Sequence, residues 1–153
     1  MLSITNLRDF LTEAAAEINT INYTNIVVDD SQLISLLKER EIDENNYLIA
    51  IVPQFGLIGQ EDIAKWNNQL MFMVMCKYTS RDITLDEQVD ILESTRISSR
   101  SLIELMLSKK IGENGQFCGL MNELVENSIE ITPVWEKAQC CGWMIQIDLV
   151  TRF

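Results

Sequence analysis

The chain has 153 residues, 47% hydrophobic and 23% charged, a length that suits one domain with a real core and is short for two. Acidic residues outnumber basic ones 23 to 12, for a net charge of −11, which argues against binding a phosphate backbone, since that needs clustered Lys and Arg. Histidine is absent, which removes Ser-His-Asp and Cys-His catalysis, Cys₂His₂ zinc sites and any imidazole switch.

Residues 5 to 19 read as an amphipathic helix capped by Thr5 or Ser3, with Leu7, Phe10, Leu11, Ala14, Ala15 and Ile18 at helical spacing. This start lacks the basic residues and the continuous apolar stretch of a secretory leader. The longest nearly apolar runs, 48 to 59 and 70 to 76, fall short of the roughly 20 residues that cross a bilayer. A soluble chain without a cleaved export signal or membrane partner is expected.

Tyr23 to Val28 is a candidate short strand, and Asp29-Asp30-Ser31 offers caps for a second helix through Arg40. Glu41 to Asn46 is a polar turn. Tyr47 to Pro53 is a continuous apolar run that fits a central strand ended by its proline. Gln54 to Trp66 reads as irregular, with one helical turn at Glu61 to Trp66, and Leu70 to Tyr78 as a second apolar strand.

Thr84-Leu-Asp-Glu87 is a capping box, in which threonine and glutamate satisfy each other's backbone amides. It opens the longest helix, about residues 85 to 110, closed by Lys109-Lys110 at the negative dipole end and Gly112 beyond. The hydroxyl-rich run Ser94 to Ser101 competes for helical hydrogen bonds, so a kink or break near Ser98 is expected. Phe117, Leu120, Met121 and Leu124 mark a further short helix.

The last third alternates. Ile129, Ile131, Pro133 and Trp135 share one face, and Trp143, Ile145, Ile147, Leu149 and Phe153 share another. Two such strands joined by Glu136 to Gly142 predict an antiparallel hairpin with a longish tip. Its polar face is either wet or a subunit contact. The expected fold is a single α+β domain, residues 1 to 153, with a mostly antiparallel sheet, helices packed on one face and a C-terminal β-hairpin. A ferredoxin-like βαββαβ core from residue 23 is the alternative topology.

No residue set demands chemistry. Asp86, Asp90 and Glu93 line one side of the long helix and could hold a hard cation, but an ordinary exposed helix face looks the same. Cys76, Cys118, Cys140 and Cys141 contain no CxxC spacing and read as free thiols. Gly56-Leu-Ile-Gly59 lacks the lysine of a phosphate loop and reads as a turn. The expectation is no enzyme, no cofactor and no metal.

Surface-forming apolar residues are more suggestive. Phe55, Leu57, Ile58 and Trp66 fall in the segment read as irregular, where apolar side chains need the core or a partner. Trp135, Lys137 and Trp143 flank the hairpin tip, with core packing or a partner again both open.

The succession of elements, above all from Tyr47 onward, resembles the small α/β proteins that complete or terminate the tails of bacteriophages: an N-terminal helix, an apolar strand pair with a long intervening segment, the capped helix from Thr84, and the hairpin Ile129-Glu-Ile-Thr-Pro-Val-Trp135 with Cys141 to Phe153. The added helix at Ser31 to Arg40 departs from the simplest version of that pattern. The resemblance implies a homo-oligomeric ring subunit, commonly six-fold, that joins tail-tube to neck or connector proteins within the virion. A ring of such acidic subunits would let DNA pass without holding it. The alternative is a cytoplasmic small-molecule-binding or enzymatic α+β domain, with Met71, Phe72, Met73 and Met75 lining an apolar pocket. A nucleic-acid mimic would need its acids on one face, whereas they are spread over many loops and helix starts.

Overall fold

The computed structural model describes residues 1–41, 45–60, 64–79, 83–111 and 118–152. In chain order the elements are α1 (Ile4–Glu17), β1 (Ile21–Val27), α2 (Asp30–Glu39), β2 (Asn46–Ile58), β3 (Lys65–Lys77), α3 (Leu85–Ile111), α4 (Cys118–Met121), β4 (Glu130–Lys137) and β5 (Cys140–Arg152). The expectations placed on Asp43, Glu44, Glu61, Asp62, Gly112, Phe117 and Phe153 fall outside the described residues.

The strands form one five-stranded sheet in the order β1-β2-β3-β5-β4. Among the described residues only β1 and β2 run parallel; β2 with β3, β3 with β5, and β4 with β5 are antiparallel. The expected α+β class, mostly antiparallel sheet and C-terminal hairpin are present. The ferredoxin-like alternative is not, because its split βαβ units need a strand between the two parallel ones, whereas β1 lies at the edge directly paired with β2.

Parity along the strands sorts the core into two faces. Leu48, Ala50, Leu70, Phe72, Val74, Ile145, Ile147 and Leu149 point to the face covered by α1 and α3. There Phe10 of α1 meets Phe72 edge-on, with ring centroids 5.9 Å apart. Tyr47, Ile49, Met73 and Met75 alternate with that set and point to the other face, against Leu33 and Leu37 of α2. The two longest helices thus share one face, as expected, while short α2 lies on the opposite one. The cause is topological: parallel strands need a crossover connection, and α2 is the crossover from β1 to β2.

Helix boundaries follow local chemistry. Asp29 caps α2 by accepting the Gln32 amide at 2.9 Å. The predicted capping box is made: Glu87 Oε2 accepts from the Thr84 amide at 2.7 Å, and Thr84 Oγ1 from the Glu87 amide at 3.3 Å. Lys77 closes α2 at its C-terminal end by donating to the carbonyls of Leu37, Lys38 and Arg40.

No break occurs at Ser98. Its hydroxyl donates back to the Ser94 carbonyl, accepts from Asn46 Nδ2 at 2.7 Å and lies 2.7 Å from Thr20 Oγ1. Thr95, Ser98 and Ser99 are buried, and Thr95 and Ser99 bond back to carbonyls one turn earlier. The hydroxyls therefore serve close helix–sheet contact, because small side chains whose polar atoms are satisfied can be buried at little cost.

Pro53 does not end its strand. The β2–β3 register shifts between Ile51 and Gln54, and pairing resumes from Gln54↔Gln69 to Ile58↔Lys65. A residue without an N–H is accommodated where a bulge leaves the ladder unpaired. Gln54 to Ile58 and Lys65-Trp66 are consequently strand, not irregular segment, and Gly59 leaves β2 with φ of 102°. The C-terminal hairpin is also tighter than expected. Lys137 pairs with Cys140 after a bulge, leaving a two-residue tip, Ala138-Gln139, with φ of 53° and 61°. Both values lie in the left-handed region, as a primed hairpin turn requires.

Candidate functional site

The residues singled out from sequence separate into two groups at opposite ends of the sheet. β3 and β5 pair from Lys65↔Arg152 at one end to Lys77↔Cys140 at the other, a span of roughly 40 Å at strand rise. Phe55, Leu57, Ile58 and Trp66 lie at the first end; Trp135 and Lys137 lie at the second, and Trp143 sits between.

The first end is built by three strands outrunning their neighbours. β1 pairs with β2 only as far as Val27↔Ile51, so among the described residues no strand lies beside the outer edge of β2 beyond Ile51. Cross-strand partners share a face, which places Phe55 with Asn68 and Leu149, and Leu57 with Trp66 and Thr151. Phe55, Leu57 and Ile58 are 38%, 59% and 43% exposed, and Trp66 is half-buried.

Beneath them Asn68 is fully buried. Its Oδ1 accepts from the Leu2 amide at 2.9 Å, and its Nδ2 donates to the Leu149 carbonyl at 2.7 Å and to Thr151 Oγ1 at 3.2 Å. One satisfied amide thus ties the N-terminal segment down over this end. On the far side, β5 is flanked by the 123–125 segment, through Val125 N to Asp148 O and Val150 N to Glu123 O.

At the second end, Trp135 sits in the bulge of β4 and is exposed. Lys137 is engaged within the chain, paired with Asp30 at the start of α2. Trp143 is partly buried and donates its indole N–H to the Leu92 carbonyl of α3 at 2.9 Å, a bond that fixes helix to sheet. Above it, between α3 and edge strand β4, runs a groove of about 470 Å³ lined by Arg96, Arg100, Ile103, Ile131 and Trp143.

Met73 and Met75 are buried against α2 and Phe72 against α1, so they are core rather than pocket lining. A separate open groove of about 610 Å³ lies between the end of β3 and the start of α3, lined by Tyr78, Ile83, Glu87, Asp90 and Ile91. Cys76, Cys140 and Cys141 are free thiols. Burial pushes the Cys140 thiol up to about 12 and Cys141 to about 11, and raises Cys76 as well, so they stay protonated at neutral pH and are poor nucleophiles.

Asp86, Asp90 and Glu93 are exposed. Glu93 is held below the usual carboxylate range by its hydrogen bonds from Arg96. Among the described residues no group of three or more His, Cys, Asp or Glu side chains is placed to hold a metal ion, and no helix is long and apolar enough to cross a membrane.

Three exposed apolar residues on α3, Leu85, Val89 and Ile97, had not been singled out. Their spacings of four and eight were the available signal. Comparison of the chain with protein-family models and with curated protein sequences finds no match.

Proposed function

We propose that this chain is a structural assembly subunit, of the kind that completes or terminates a bacteriophage tail as a ring, and that it works through subunit contacts and not through catalysis. The observation that carries this is the bare end of the sheet: an edge of β2 that no other described strand pairs, bearing Phe55, Leu57 and Ile58 in the open. An exposed edge that is also apolar is a template for pairing with another chain. A closed ring buries one such edge per subunit without leaving a free end.

The element order that resembles tail-completion proteins supports the same reading. The net charge of −11 per subunit suits a lumen through which DNA moves. Neighbouring subunits would meet at the bare end, and tail-tube or neck proteins at the faces of the ring.

The test is the native mass, measured by light scattering over a wide concentration range, together with co-purification against tail-tube and connector proteins. A closed oligomer that disassembles when Leu57 is changed to Ser is the expected result. A strict monomer that binds neither kind of partner rules the proposal out.

A further inference from the structure

We propose that the outward face of α3 packs antiparallel against the same helix of a second copy of this chain, a two-fold contact separate from the bare end of the sheet. Residues on a helix advance by about 100°, so the face opposite buried Thr95, Ser98 and Leu102 is centred on Glu93. On it Leu85, Val89 and Ile97 are 78%, 62% and 50% exposed. Such residues on a helix otherwise docked to its own sheet are apolar surface that nothing among the described residues covers.

The charges on this face say what covers it. On this face the charged residues from Leu85 to Glu93 are Asp86, Asp90 and Glu93, all acidic, whereas Glu87 lies about 120° away and caps the helix with Thr84. From Ser94 to Ser101 they are Arg96 and Arg100, with Glu104 one turn beyond on the same face. A helix that is acidic in one half and basic in the next is complementary to itself when reversed. Two-fold symmetry demands that kind of self-complementarity.

Antiparallel alignment about Glu93 sets Asp86 near Arg100 of the second copy, with Val89 and Ile97 flanking the contact. Arg96 already holds Glu93 through Nε and Nη2 at 2.7 and 2.6 Å, and Arg100 holds Glu104 at 2.8 Å. A guanidinium has five N–H donors, so each retains capacity for a carboxylate across the interface. At the axis Glu93 meets its own copy, but each of the two carboxylates is neutralised by its Arg96. A contact along a single helix is small, so the association is reversible and concentration-dependent.

The test uses two charge-reversal variants of the full chain, Arg96→Glu with Arg100→Glu, and Asp86→Arg with Asp90→Arg, followed by native mass spectrometry. All four positions are exposed, so folding is retained, and circular dichroism checks it. Wild type is expected to show the two-fold species. Each variant alone loses it, with self-association weakened about tenfold or more, and mixing the two restores a one-to-one pair. Val89→Asp, which breaks the apolar part, also dissociates it.

Persistence of the two-fold species in either variant, or failure of the mixture to restore it, overturns the proposal. So does a chain that is monomeric alone and has α3 covered by a different protein. Association lost on Leu57→Ser and unchanged by the reversals would leave the ring standing and remove this contact.

Discussion

The two ends of the central sheet are made of the same three long strands and differ in what covers them. Around Tyr47, Met75 and Cys140 the sheet is enclosed on both faces, by α1 and α3 on one and α2 on the other. Around Leu57, Trp66 and Thr151 the neighbouring strand and α2 are gone, and three large apolar residues stand exposed. Side chains at the enclosed end are held by packing and hold the fold in return. At the bare end Phe55, Leu57 and Ile58 keep 38%, 59% and 43% of their surface exposed and so contribute less to the fold. Mutations should therefore separate stability from association according to end.

The largest effect is expected at Gly142, in the enclosed end. A methyl group there would sit 1.9 Å from the Val74 carbonyl oxygen of the paired strand, and backbone in mid-sheet cannot move aside. Gly142→Ala should lower the unfolding free energy by about 3 kcal/mol, read from the denaturant midpoint. A loss below about 1 kcal/mol would mean that this end is looser than its burial implies.

Next comes alkaline pH. The thiols of Cys140 and Cys141, raised by burial to about 12 and about 11 from 9.0, remain protonated in the folded chain while the unfolded chain ionises. Stability is fully present below pH 9 and falls as pH rises toward the folded values, by about 1.4 kcal/mol per unit for each thiol. Urea titrations between pH 8 and 11 should show this fall. Cys140→Ala should remove its share and leave that of Cys141, at some constant cost from the lost packing.

A smaller effect, of opposite sign, is expected at the hairpin tip of the same end. Ala138 and Gln139 both hold φ above +50°, where residues with a Cβ are strained and Asn-Gly is favoured. The double change Ala138→Asn, Gln139→Gly should stabilise by about 1 kcal/mol, seen as a higher melting temperature. A neutral or negative result would show that the packing of Ala138 against the core under α2 outweighs the relief of backbone strain.

The same contrast explains what could be read in advance. The capping box at Thr84, the Asp29 cap and the alternation of β5 are local patterns, and local patterns survive folding. Pro53 misled because a proline ends a strand only where its N–H is needed, and the bulge that removes the need depends on the partner strand. Ser98 misled in a similar way: whether a hydroxyl competes with its helix or joins it to Asn46 and Thr20 is decided by residues far away in sequence. Position in the sheet was equally hidden. Nothing near Lys137 announces that it is spent on Asp30, and nothing near Leu57 says that β1 stops short.

The smallest change in stability should come from the bare end, and it is the most discriminating. Leu57 is 59% exposed and lies in the part of β2 beyond its pairing with β1, so Leu57→Ser removes little buried area and should alter stability by no more than about 0.5 kcal/mol. A residue that belonged to the core of the isolated chain could not be changed so cheaply. If Leu57 is buried only between copies, its whole contribution appears in association, and the variant should stay folded with an unchanged denaturant midpoint while losing the oligomer. A parallel loss of stability and association would instead place Leu57 in the fold, and the contrast between the two ends would no longer separate the two functions.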